Sequence, residues 1–176
     1  MKSNLIIVTG CFGAPTREEA QRLAERLDLP LWDLDQEIQR RDGRSIRRLV
    51  MMNGEHGYRN LEFEVLQELA RQNQACVVAC GDGVLYDEDS ACIARESRLH
   101  IAGRNLTKEE LWQAACGCED SYHAFMSFGT EQQKRAAFDD LIDRQRRLFS
   151  GFEAADGSGI AAGFDAAARG NKGEDK

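Results

Sequence analysis

The chain has 176 residues, 30% of them charged, the size and composition of one globular domain with a substantial core. Its net charge of −7 and isoelectric point near 5.1 exclude a sequence-independent nucleic-acid binder, which needs a basic face. No apolar run approaches the ~20 residues of a membrane span, and the N-terminus lacks the h-region and cleavage site of a signal peptide, so a cytoplasmic protein is expected.

The apolar run Leu5-Ile6-Ile7-Val8 predicts a buried strand over residues 4–9. A helix follows over 16–27, with Ala20, Leu23, Ala24 and Leu27 as its buried stripe and Thr16 and Glu19 spaced as a capping box. A short strand is expected at 31–34, then helical segments at 36–41, 45–52 and 54–70. In the last of these, Leu61, Val65, Leu66 and Leu69 line one face. Residues 75–79 are apolar throughout, as in a strand buried on both faces. The turn Gly81-Asp82-Gly83 leads to a helix over 87–96 and a fourth strand over 99–102. Thr107-Lys108-Glu109-Glu110 is a second capping box, opening a helix to Cys116. Residues 117–130 have no period and read as a loop or lid, and 131–149 as a charged amphipathic helix. The domain is expected to occupy 1–152, and the Gly/Ala-rich stretch 153–176 to be a disordered tail.

Strands alternating with helices predict an α/β fold, a three-layer sandwich with a parallel sheet flanked by helices. In such sheets ligands bind beyond the carboxyl ends of the strands. Three polar groups fall there: the loop after the first strand, Asp33/Asp35 at the second, and Gly81-Asp82-Gly83 after the third.

The first of these loops, Thr9 to Arg17, stands between strand and helix, where backbone N–H groups cradle phosphates. A phosphate-binding loop of the form G-x-x-x-x-G-K-[ST] ends in glycine, lysine and a hydroxyl residue. Gly10 opens the motif here, but Pro15, Thr16 and Arg17 occupy those last three places, and Pro15 removes one N–H donor. The scaffold of a nucleotide kinase is therefore expected without its nucleotide chemistry. The six cysteines make no disulfide framework expected of a cytosolic chain, and Cys116-Gly117-Cys118 with His123 matches no strong zinc spacing. They read as ordinary thiols.

Asp33-Leu34-Asp35, Gly43-Arg44-Ser45-Ile46, Gly54-Glu55-His56-Gly57-Tyr58-Arg59 and Gly81-Asp82-Gly83, in that order and spacing, resemble the shikimate kinase family of P-loop-kinase-like proteins. The likeness covers about residues 4–102. It implies phosphorylation of the shikimate 3-hydroxyl with ATP and magnesium. By the same resemblance Asp33 serves catalysis and the magnesium shell, and Asp35 accepts hydrogen bonds from shikimate hydroxyls. Arg59 grips the carboxylate, Gly81 and Gly83 bring backbone close to the ring, and Gly10, Gly13, Thr16 and Arg17 form the phosphate loop. Read as isolated residues, Asp35 is a helix cap and Arg59 a solvated helix arginine; the run Arg40-Arg41, Arg44, Arg47-Arg48 is a solvated face or an attractor of anions.

The departures from the family's pattern cluster on the ATP side. Thr16 replaces the phosphate lysine and Arg17 the magnesium hydroxyl. Asp82 interrupts a triple glycine, an unfavourable carboxylate unless a cation is near. The lid carries no arginine; Lys134 and Arg135 come just after it. Gln145 stands where the family has a second carboxylate-binding arginine, with Arg144 and Arg146 beside it. The resulting expectation is a catalytically impaired shikimate-kinase-like protein that keeps part of a pocket for a small polyhydroxy acid such as shikimate, and uses ATP and magnesium only if the nucleotide site functions. Two other readings stay open: a working kinase in which Arg17, Lys134 or Arg135 restores the lost charge, and a non-catalytic interaction module contacting a protein through its 131–149 helix.

Overall fold

The structure, a computed structural model, describes residues 3–118 and 121–156. The expected tail therefore lies outside the described residues, apart from 153–156, which continue the last helix. Four parallel strands form the sheet of the described residues in the order β2-β3-β1-β4. They are β1 (Leu5–Gly10), β2 (Leu31–Asp33), β3 (Cys76–Ala79) and β4 (Arg98–Ala102). Parallel neighbours need long crossovers, supplied by α1 (Thr16–Leu27), α2 (Leu34–Asp42), α3 (Ile46–Gln72) and α4 (Glu88–Glu96). Then come α5 (Lys108–Cys116) and α6 (Glu131–Asp156). The expected α/β sandwich with a parallel sheet is what is found.

Period-two alternation along β1 divides the core. Ile6 and Val8 pack with Val77 and Ala79 against Ala20, Leu23 and Ala24 of α1. Leu5 and Ile7 face the larger cluster, which takes in Ile38, Leu49, Tyr58, Leu66, Leu111, Phe138 and Ile142. The sheet is thus covered on both faces, as its uninterrupted apolar strands require. No helix among the described residues is long and apolar enough to cross a membrane.

Two local expectations need correction. Thr16 and Glu19 do not form a capping box; Pro15 precedes α1 with no side-chain cap. The Glu19 carboxylate instead accepts from Gly103 N at 2.9 Å and lies 2.7 Å from His100 Nε2, pinning α1 to the end of β4. A tertiary partner outbids a local one here because it offers two bonds to one carboxylate. Thr107 and Glu110, with no such competitor, make their capping box. The segments expected at 45–52 and 54–70 run together as α3, broken only at Gly54, whose φ of 73° is not helical. That break turns the second half of α3 inward, and Tyr58, Arg59 and Glu62 are buried.

Candidate ligand-binding site

A cavity of about 740 Å³ opens at the carboxyl ends of the strands. Its walls include Gly13 and Arg17 from the first loop, Asp33 and Asp35 from β2–α2, and Gly81 and Asp82 after β3. Tyr122 and His123 of the strap between α5 and α6 complete it. The cavity lies where the sequence leads one to look for a ligand, beyond the sheet at the strand ends.

The first loop is closed upon itself. Ala14 N donates to the Cys11 carbonyl and Thr16 N to the Ala14 carbonyl, each at 2.8 Å. Phe12 N donates at 2.9 Å to Gln145 Oε1. Three backbone donors of the would-be cradle are engaged by the protein. Gly10 is packed from outside the cavity: a Cβ there would lie 2.7 Å from the Ala102 carbonyl oxygen. Gly13, at φ 91°, lines the cavity and abuts the Leu111 carbonyl of α5.

Arg17 Nε lies 2.5 Å from Asp33 Oδ2. The other Asp33 oxygen accepts from Gln36 N at 3.0 Å and caps α2. Asp33, not Asp35, is thus the helix cap. Both of its oxygens have protein partners, one of them Arg17, at the position where the resemblance puts a magnesium-binding hydroxyl.

Asp35 turns into the cavity wall. Its Oδ1 accepts from the Tyr58 hydroxyl at 2.5 Å. Burial pushes its carboxyl above the ordinary range, opposed by that hydrogen bond and reinforced by the charges of Asp33 and Asp82.

Arg59 is not presented as the resemblance implies. Only 5% exposed, it ion-pairs with fully buried Glu62 through Nη1 and with Glu55 through Nη2 at 3.1 Å. Nη2 also donates to the Tyr122 hydroxyl at 2.5 Å, and the guanidinium lies over the rings of Tyr58 and Tyr122. Gly83 is pressed against this guanidinium: a Cβ there would overlap Arg59 Nη2. Gly83 therefore makes room for Arg59, whereas Gly81 is part of the cavity wall.

Asp82 has the neighbours that make a buried carboxylate tenable. His123 Nε2 lies 2.9 Å from Oδ2, the Tyr122 hydroxyl donates to Oδ1 at 2.9 Å, and Gln145 Nε2 donates to Oδ2 at 2.6 Å. A carboxylate only accepts, so the facing His123 nitrogen carries a proton. The Phe12 ring packs against His123, tilted by 49° with ring centroids 4.4 Å apart. Asp82, Gln145 and the arginine-free strap, three separate departures from the family's pattern, thus satisfy one another. The sequence missed this cluster because its members lie 41 and 63 positions apart. The signal available was the lone carboxylate at Asp82 with a tyrosine–histidine pair in an otherwise patternless loop.

The other candidate cations are engaged elsewhere. Lys134 pairs with Glu131, and Arg135 with Glu109 and Asp139. Arg144 Nε donates to the Asp140 carbonyl, and Arg146, beside Cys11, donates to the Leu106 carbonyl. In the basic run, Arg40 and Arg41 pair with Glu37 and Arg44 with Asp42, which neutralises that face locally. Among the described residues no group of three or more His, Cys, Asp or Glu side chains is placed to hold a metal ion.

The Asp82 cluster has a pH signature. Burial alone would raise this carboxyl, but the charge and hydrogen bond of His123, the charge of Arg59 and the Tyr122 hydroxyl outweigh it and bring it to about 2. A folded value below the unfolded one gives stability that is full above about pH 4 and lost as pH falls toward 2. The shift corresponds to about 2 kcal/mol. Urea unfolding between pH 2 and 5 is expected to show this loss in the parent and a shallower one in Asp82→Asn. Parallel slopes would refute the assignment.

The family model for shikimate kinase matches residues 17–102, starting after the loop glycines. The bifunctional shikimate kinase/3-dehydroquinate synthase of Thermotoga maritima is 38% identical over 97 residues, covering 54% of this chain and 20% of that protein. The shikimate kinase of Thioalkalivibrio sulfidiphilus is 33% identical over 113 residues, covering 64% of this chain and 58% of that one. The shikimate kinase of Chlorobium limicola is 37% identical over 94 residues, 53% of this chain and 47% of that one. The matched segment thus spans about half the length of these single-function relatives. Among solved structures, shikimate kinase from Bacteroides thetaiotaomicron superposes with a TM-score of 0.69 at 20% identity, over 83% of this chain and 81% of that one. Shikimate kinase from Acinetobacter baumannii in complex with shikimate gives 0.67 at 22% identity, over 94% and 88%. These structural likenesses establish the fold. With the family model and the curated relatives beside them, they show that the chain is similar to the shikimate kinase family of P-loop-kinase-like proteins.

Proposed function

We propose that this chain binds a small hydroxylated ring compound in its cavity and does not carry out efficient phosphoryl transfer from Mg-ATP. The observation that carries the reading is the Arg17–Asp33 pair: a guanidinium sits on the carboxylate that the family resemblance assigns to magnesium. Phosphoryl transfer depends almost wholly on positioning and charge stabilisation. Here the lysine position is Thr16, the metal-side carboxylate is paired and capping, and Phe12, Ala14 and Thr16 N–H groups are bonded within the protein. These residues do not fit a Mg-nucleotide site, and no step is derived through one. Loss of one charge-stabilising contact typically lowers a rate by about 10²–10³, and several are altered together.

A working kinase with a substitute cation is disfavoured by the ion pairs that hold Arg17, Lys134 and Arg135. A purely vestigial pocket is disfavoured by the mutual satisfaction of Asp82, Tyr122, His123 and Gln145, which a decaying site has no reason to keep. In the proposed complex, Asp35 accepts a hydrogen bond from the ligand and Gly81 gives backbone access to the ring. Shikimate-dependent ADP release from Mg-ATP by the folded protein tests this. Background rates are expected. Turnover more than about tenfold above background would overturn the proposal and make Arg17→Ala the next variant.

A further inference from the structure

The cavity wall carries an unbalanced charge. Arg17 is matched by Asp33, and Arg59 by Glu62 and Glu55. Asp82 is matched by His123 with Tyr122 and Gln145. Asp35 faces the cavity with a neutral partner, the Tyr58 hydroxyl, on one oxygen, and the carboxylate of Glu18 lines the same cavity at its exposed rim. A second observation points the same way. Glu62 Oε1 is fully buried and has no hydrogen-bond partner. It points at the side-chain-free face of Gly81, a residue of the cavity wall, where a Cβ would lie 3.2 Å from it. Asp35 is thus the carboxylate on this side that a ligand donor can reach, with the buried Glu62 oxygen behind the wall at Gly81. The groups expected to welcome an anion, Arg59 and the residue at 145, are respectively caged and neutral.

We propose that the cavity selects a cationic polyol, a hydroxylated ring bearing a primary amine, whose ammonium pairs with Asp35. An ammonium offers three donors and a charge, and it matches a carboxylate in a poorly solvated wall better than a hydroxyl does. A carboxylate-bearing ring would meet Asp35 and Asp82 with Arg59 caged and Arg17 already paired to Asp33, and like charges at close range repel. This rests on the ring-binding reading above and specifies its charge.

The test compares three rings without nucleotide by titration calorimetry: 1-amino-1-deoxy-scyllo-inositol, myo-inositol and shikimate, that is, cation, neutral and anion. The amine is expected to bind about tenfold or more tighter than the inositol, the scale of one charge-assisted hydrogen bond, with shikimate weakest. Asp35→Asn keeps the shape and removes the charge. It is expected to reduce the amine's advantage over the inositol to under about twofold, whatever the change in inositol affinity itself. Circular dichroism melting confirms that the variant is folded; if it is not, the dependence of amine binding on sodium chloride in the parent decides, because only the ion pair is screened. Tighter binding of shikimate, equal binding of amine and inositol, an advantage that survives Asp35→Asn, or no binding of any ring would each overturn the proposal. Absence of ADP release alongside any of these leaves the reading of impaired phosphoryl transfer standing. ADP release with the amine preference intact overturns that reading alone.

Discussion

Arg59→Met is expected to lower stability by about 3–5 kcal/mol at pH 7.5, the cost of leaving a buried charge without its partner. Glu62 has no exposed surface, and Arg59 is its counter-ion. The substitution also takes a donor from the Tyr122 hydroxyl, which bridges to Asp82. For a chain of this size the melting point is expected to fall by roughly 10 °C. The double variant Arg59→Met/Glu62→Leu is expected to recover more than half of the loss, because an apolar pair of similar volume replaces the ions. The pH dependence has a definite sign. Burial raises the Glu62 carboxyl to about 7 even though the Arg59 charge and hydrogen bond lower it. A raised folded value means that the native state holds the proton longer, so the Glu62 contribution is full below about pH 4.5 and is lost as pH rises through about 7. Without Arg59 that carboxyl moves higher still, so the deficit of the single variant shrinks on acidification to pH 5. Denaturant unfolding at pH 5 and 7.5 checks this. A single variant as stable as its parent at pH 7.5, or a deficit that grows toward pH 5, would remove Arg59 from its role as an internal counter-ion.

Gly13→Ala is expected to be nearly as damaging, and Gly43→Ala provides the comparison that isolates the cause. Both glycines have left-handed backbone, φ 91° and 84°. Nothing lies within 4 Å of a Cβ built at Gly43, so its substitution measures the dihedral cost alone, about 1–2 kcal/mol. A Cβ at Gly13 would overlap the Leu111 carbonyl in the middle of α5, where backbone rather than a flexible side-chain end must move. Gly13→Ala is therefore expected to cost at least ~3 kcal/mol, since overlap in packed structure adds about 1–3 to the strain. It is also expected to speed hydrogen exchange over residues 108–116. Equal losses for the two alanines would mean that α5 does not rest on this loop. The contact also says what the glycine of the first loop does here: it seats a helix, whatever else the family uses it for.

Much of this architecture was legible in the sequence. The apolar strands and the helix between Thr16 and Leu27 follow from short-range pattern and are found with small shifts at the ends. So do the capping box at Thr107 and the four motifs that carry the family. That Thr16 and Arg17 stand where the phosphate-loop pattern has lysine and a hydroxyl residue is also a matter of reading residues in order.

The partners of the charged side chains could not be read that way. Glu19 leaves its helix start for Gly103 and His100 because β4 ends beside it. Arg17 reaches Asp33, and Arg59 is drawn inward by Glu62 and Tyr122, because parallel strands bring the ends of β1, β2 and β3 together over one cavity. Asp82 looked like a misplaced charge until the strap and α6 brought His123, Tyr122 and Gln145 to it. Local structure is fixed by periodicity over a few residues, which a linear chain displays directly. The protonation and pairing of a carboxylate depend on the solvent it loses and on the charges within a few ångströms, and those neighbours are assembled only by the fold.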